Sequence, residues 1–133
     1  MKFTINKIVY NVFEEHPNTE KAAIGLTAKL GVSREDPSKR AFFIELNIDC
    51  KDGESDIETR NLLVVANLNY NLDKNVFKDL NENEIDEDNK YFIKLLERLN
   101  EAIKNITSQD DVGRPLDINK AIEKHSNEGE KQL

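Results

Sequence analysis

Asp79, Asn81 and Asn83 reproduce the opening of a calcium-binding loop, in which alternate oxygens converge on one hard cation. The sixth position of that loop holds Glu84 where the sharp turn needs Gly, and the twelfth holds Lys90 where a bidentate Glu belongs. The stretch therefore reads as a solvated acidic linker. His16 precedes a proline in a turn-like segment, and His125 lies near the C-terminal end. Neither has a second His, Cys or nucleophile at the spacing of a zinc site or a triad. Ser33 and Ser108 sit in no nucleophile elbow, and the five glycines are scattered rather than gathered into a phosphate loop. Carboxylates are plentiful, but in acidic loops they are solvated surface rather than a tuned acid and base. The chain reads as a non-enzyme that needs no metal or cofactor.

What remains is surface chemistry. Phe43, Leu63 and Val65 break a face that is otherwise polar, and Tyr10 and Phe13 are candidates to join them. Two readings stay open: a second face partly covered by the protein itself, or an apolar patch for a subunit or a client polypeptide.

Four alternating runs place those residues. Ile24, Leu26, Ala28, Leu30 and Val32 form one; Phe42, Ile44, Leu46, Ile48 and Cys50 the next; Leu62, Val64, Ala66, Leu68, Tyr70 and Leu72 the last. Successive strand side chains point to opposite faces, so the even positions line a dry face. Thr27, Lys29, Glu45, Asn47, Asp49, Asn67, Asn69 and Asn71 line a wet one, as expected of an antiparallel sheet. The first run, Phe3 to Phe13, changes parity between Asn6 and Lys7, which predicts a β-bulge or bend there. His16 to Glu20 reads as a turn, Ser33 to Lys39 as a solvated loop, and Asp52-Gly53 as the tight turn closing the last hairpin.

The composition then turns acidic from Asp73 to Asn89, and a helix is expected to start near Asp86 or Asp88, whose carboxylates suit a helix N-terminus. Phe92, Leu95, Leu96, Leu99, Ala102, Ile103 and Ile106 recur at helical spacing, a stripe wide enough to cover the dry face. Gly113 and Pro115 break the helix, and Leu116, Ile118, Ala121 and Ile122 suggest a second, short one. The expected fold is α+β: a four-stranded antiparallel sheet, a long helix packed on one face and a short C-terminal helix. One domain over residues 1–122 and a polar tail over 123–133 follow.

With 133 residues, 38% hydrophobic and 34% charged, the chain has a small core under a charged surface, or apolar surface meant for a partner subunit. A net charge of −7 argues against a nucleic-acid partner and weakly favours basic or unfolded polypeptides. No apolar run approaches the roughly 20 residues that span a bilayer, and no signal sequence opens the chain, so a cytoplasmic location without membrane insertion is expected. Cys50 is alone, which excludes an internal disulfide; at the end of an apolar face it reads as a reduced, half-buried core thiol.

The order of elements resembles the SecB protein-export chaperones and their shorter SecB-like relatives. Phe3-Thr-Ile-Asn-Lys-Ile-Val-Tyr10 is similar to that family's first, bent strand. Asn100-Glu-Ala-Ile-Lys-Asn-Ile-Thr-Ser-Gln-Asp-Asp-Val-Gly-Arg-Pro-Leu-Asp-Ile-Asn119 is similar to its helix end, Gly- and Pro-containing loop and final helix. Asp86-Glu-Asp-Asn-Lys-Tyr-Phe92 departs from the family's aromatic, proline-rich lead-in to the long helix. The resemblance implies a subunit that assembles as a dimer of dimers (a homotetramer) and holds unfolded or partly folded polypeptide without ATP, for export or for one dedicated client such as an antitoxin. The competing reading is a phage or accessory structural protein with one folded partner.

Overall fold

The computed structural model describes residues 1–13, 19–72, 81–108 and 115–119, with residues 81–86 described by their backbone alone. Two compact units divide the chain, one built on Met1–Asn71 and the other containing everything described from Leu72 onward. The first unit is a four-stranded antiparallel sheet of β1 (Lys2–Val12), β2 (Glu20–Val32), β3 (Lys39–Asp52) and β4 (Glu58–Asn71). Its order is β1-β4-β3-β2, so the two long hairpins leave β1 and β2 as the edges. Among the described residues, the second unit contains one helix, α1 (Asn81–Thr107).

The alternation read from the sequence sets the register. Leu46 faces Leu26 on one side and Val64 on the other, and Ile48 sits likewise between Ile24 and Leu62. Along β3 and β4 the even side chains form the sheet's core: Ile44, Leu46, Ile48, Cys50, Leu62, Val64, Ala66, Leu68 and Tyr70 are all buried. Each fully buried aliphatic side chain contributes roughly 1.5–3 kcal/mol, so these two strands carry most of the sheet's stability. The parity change in the first run is a register shift between Ile5 and Lys7, with Asn6 as the extra residue. Its amide is turned to the wet face and donates to Asn67 Oδ1 at 2.8 Å.

The β3–β4 turn is wider than the Asp52-Gly53 dipeptide suggests. The Asp52 carboxylate accepts from the Glu54 N–H at 2.8 Å, the Asp56 N–H donates to the Asp52 carbonyl, and Asp56 takes the left-handed conformation at φ 59°. Asp tolerates that region better than most residues because its short side chain can bond locally. Gly53 has a different duty. Its N–H donates to the Thr19 carbonyl, and a Cβ there would stand 2.8 Å from Thr19 Oγ1.

The helix begins at Asn81, earlier than Asp86 or Asp88. Asp88 is a buried residue of the helix interior rather than its cap. Several acids in a row offer several caps, and sequence cannot rank them. The stripe is buried at Phe92, Leu95, Leu96, Leu99 and Ile103, while Ala102 and Ile106 are half-buried. Asn100 and Thr107 are buried as well, and both hold the Pro115–Asn119 segment. Thr107 Oγ1 accepts from the Leu116 N–H at 2.8 Å, and Asn100 Oδ1 accepts from the Ile118 N–H at 2.7 Å. The Asn100 amide donates to Asp117 and Asn119. Two helical turns separate Asn100 and Thr107, so the segment runs back along the helix with Leu116 and Ile118 buried. The Asn119 N–H, the Asn100 amide and Lys104 at 3.2 Å hold the Asp117 carboxyl below its ordinary range. Asn100→Ala would strand the buried Ile118 N–H. The expected loss is about 1–3 kcal/mol, read by denaturant titration, with faster amide exchange at Leu116 and Ile118.

The turn at His16, the acidic linker over 73–80, Gly113 and the 123–133 tail lie outside the described residues. Of the expected second helix, Leu116 and Ile118 lie in a non-helical stretch, since their N–H groups go to Thr107 and Asn100 of α1, and Ala121 and Ile122 lie outside the described residues. Among the described residues, no helix is long and apolar enough to cross a membrane.

Candidate functional site

The two edge strands give the sheet its unusual surface. Leu26 and Leu46 are the same residue type, on the same face, directly opposite each other. Leu46 is 1% exposed and Leu26 is 42% exposed. The contrast repeats along the strand, for Ile24, Leu30 and Val32 are exposed while Ile44 and Ile48 are buried. Ala22 and Ala28 complete an open apolar row along the whole of β2. The dry face therefore does not end where burial ends; it continues uncovered onto the edge strand.

The edge also carries backbone chemistry. Among the described residues β2 pairs only with β3, so its other side presents main-chain N–H and C=O groups in extended geometry. Lys21 and Lys29 stand on the opposite face of the strand, where charge discourages indiscriminate edge pairing. An exposed apolar row beside a free strand edge is the arrangement that accepts an added extended segment: main-chain bonds supply affinity and alternate side chains supply selectivity.

β1, the other edge, exposes apolar residues on both faces. Ile8 and Val12 are on the dry face, opposite Val64 and Arg60, and Val9 is on the wet face, opposite Leu63.

The wet-face candidates are not one patch. Leu63 and Val65 are half-buried and adjacent along β4, with Val9 opposite Leu63 and Lys7 opposite Val65. Phe43 is 51% exposed and lies opposite Asn67 and Lys29. A Cβ built at Gly31 would meet the Phe43 ring at 3.3 Å, so the ring leans over β2, away from β1. Tyr10 does not join this group. The bulge at Asn6 puts it opposite Leu62 on the dry face, where its hydroxyl accepts from Arg60 at 3.3 Å. Phe13 is exposed, one residue beyond β1, with its N–H on the Thr59 carbonyl.

Arg60 is the charged residue that the alternation alone did not reveal. It occupies an even, dry position of β4 and is 1% exposed. Its guanidinium reaches across Cys50 of β3 to Glu20 of β2, with Nε 2.9 Å and Nη2 2.6 Å from the carboxylate oxygens, and it reaches Tyr10 of β1 on the other side. Thr59 Oγ1 also donates to Glu20 at 2.9 Å. One side chain thus ties all four strands together. Burial works against its charge, but the bonds to Glu20 and Tyr10 prevail and hold its pKa above the ordinary value. Glu20 and Arg60 both sit in phase with apolar neighbours, and opposite charges in a dry phase are the signal of a paired buried ion.

Cys50 lies between them and is fully buried rather than half-buried. Burial, with the Glu20 charge, pushes its thiol up from 9.0 to about 11, against the opposing pull of Arg60. The unfolded chain releases this proton near pH 9 and the native chain near pH 11, so stability is full below pH 9 and falls as pH rises toward 11. The contribution is about 2–3 kcal/mol. Chemical denaturation of the protein and of Cys50→Ala between pH 8 and 11 should show the difference between them shrinking by that amount. Native Cys50 should also resist alkylation at pH 8 until the chain unfolds.

No protein-family model matches the sequence, and neither does any curated protein. Among solved structures, the chain is similar to a SecB-like chaperone of Mycobacterium tuberculosis, solved in complex with a peptide from an antitoxin. The likeness has a TM-score of 0.69 at 10% identity and covers 88% of this chain and 85% of that one. The chain has a SecB-like fold.

Proposed function

We propose that this protein is an ATP-independent chaperone of the holdase type, binding unfolded or partly folded polypeptide in the cytoplasm, for export or for a dedicated client. The observation that carries the reading is the exposed apolar row of β2 on a free strand edge. The peptide-bound SecB-like structure supports it from the side of the fold.

Magnitudes decide how such a surface works. Ile24, Leu26, Leu30 and Val32 each keep roughly 1 kcal/mol of unused burial. Their sum, reduced by the cost of ordering a client, supports only weak binding per subunit. Useful retention then requires several such rows acting on one chain. We place the subunit contacts of a dimer of dimers at β1, whose Ile8, Val9 and Val12 are exposed on both faces of the other edge. Phe43 on one side of the wet face, and Leu63 with Val65 on the other, serve as separate secondary client contacts.

The test combines light scattering with an aggregation assay. A tetramer that suppresses aggregation of a chemically unfolded client at near-stoichiometric ratio, without nucleotide, is the expected result. A monomer that leaves aggregation unchanged overturns the reading. Tight capture of one folded protein, with indifference to unfolded chains, would identify a structural assembly protein instead.

A further inference from the structure

The charges around β2 are sorted by end. At its Glu20 end, where the Thr19 carbonyl receives the Gly53 N–H, the β3–β4 turn brings Asp49, Asp52, Glu54, Asp56 and Glu58 against Lys51, with Lys21 on β2 itself. At its Val32 end stand Lys29 on β2 itself, Arg40 opposite Val32, Lys39 and Arg34, with Glu35 and Asp36 as the opposing acids. Asp36 is already engaged there, accepting from the Ser38 hydroxyl at 2.6 Å and the Ser38 N–H at 3.1 Å. In a chain of net charge −7, one end of the apolar row is acidic and the other is locally basic.

β2 has 13 residues and so spans about 40 Å. That is several Debye lengths at physiological salt, roughly 8 Å, so each end acts on its own part of a bound segment without cancelling the other. A segment added to this edge continues an all-antiparallel sheet, and antiparallel pairing is slightly the more stable per residue. Its N-terminal flank then lies at the Val32 end and its C-terminal flank at the Glu20 end.

We propose that the β2 row selects clients by direction as well as by hydrophobicity: an extended apolar segment, antiparallel to β2, with an acidic N-terminal flank and a basic C-terminal flank. This rests on the β2 reading of the preceding section. It makes the site a reader of charge order, which composition alone does not encode.

Two labelled peptides of identical composition test it. One carries two aspartates before an alternating apolar segment and two lysines after it; the other has the flanks exchanged. Fluorescence anisotropy at low salt should show the first binding about five- to tenfold tighter, the yield of a few exposed charge pairs. The preference should vanish in 0.5 M salt and weaken in the Glu54→Lys/Asp56→Asn variant, whose Asn keeps the left-handed turn. Equal binding of both peptides, or tighter binding of the exchanged one, overturns the proposal while leaving β2 as a client site. Failure of both to bind at either salt concentration overturns the β2 reading itself, and this proposal with it.

Discussion

Arg60→Ala is expected to lose roughly 3–5 kcal/mol of folding stability, the range for breaking a buried ion pair from one side. The cause is less the lost attraction than what is left behind. Glu20 keeps a carboxylate whose side chain is only 19% exposed, the Tyr10 hydroxyl loses a donor, and a cavity opens beside Cys50. Thermal denaturation should fall by on the order of 10 °C. The Arg60→Met/Glu20→Leu double variant removes both charges and retains apolar volume, so it should recover most of the loss. The two single variants and the double close a cycle that isolates the pair. A loss below about 1 kcal/mol for Arg60→Ala would show that Arg60 is solvated in solution and does not clamp the strands.

That clamp also shows which parts of this molecule are legible in its sequence. Alternation identifies faces, and it did so correctly from Phe42 to Leu72 because each face there has one consistent environment. The bulge at Asn6 was legible for the same reason, since a change of phase is itself a sequence signal. Coverage is a different property. Ile24, Leu26 and Leu30 repeat as regularly as Ile44, Leu46 and Ile48, yet only the latter are buried. What separates them is the strand order β1-β4-β3-β2, a long-range fact that no local pattern carries. The expectation that the even face is core therefore holds for the central strands and fails at the edges.

The missed polar residues share another cause. Glu20, Arg60 and Asn100 each fall in phase with apolar neighbours, and a purely hydrophobic reading passes over them as interruptions. Physically they are the reverse, since a polar group survives in a dry phase only when its partners are built in. Arg60 finds three strands, and Asn100 finds the returning Pro115–Asn119 segment. The start of α1 lies earlier than the sequence suggests for a simpler reason: Asp79, Asn81, Asn83, Asp86 and Asp88 are all plausible caps, so the capping signal has little contrast.

The paired variant Leu26→Asp/Leu30→Asp should abolish client retention while leaving the fold in place. Both side chains are already 42% exposed, so their loss costs the native state little, whereas a bound segment would have to bury two carboxylates against its own apolar residues. About 1–1.5 kcal/mol per position, from lost burial and added desolvation, predicts a loss of roughly 100-fold in affinity. Phe43→Asp, on the opposite face with its ring over Gly31, should weaken binding only about three- to fivefold, as befits an exposed secondary contact. Titration of one unfolded client against the protein and the two variants, with circular dichroism and light scattering to confirm fold and assembly, reads the two faces separately. If Phe43→Asp abolishes binding and the β2 pair does not, the client lies on the wet face and the exposed row of β2 is an assembly surface. If the β2 pair alone abolishes it, the uncovered continuation of the dry face onto the edge strand is what this fold offers to another chain.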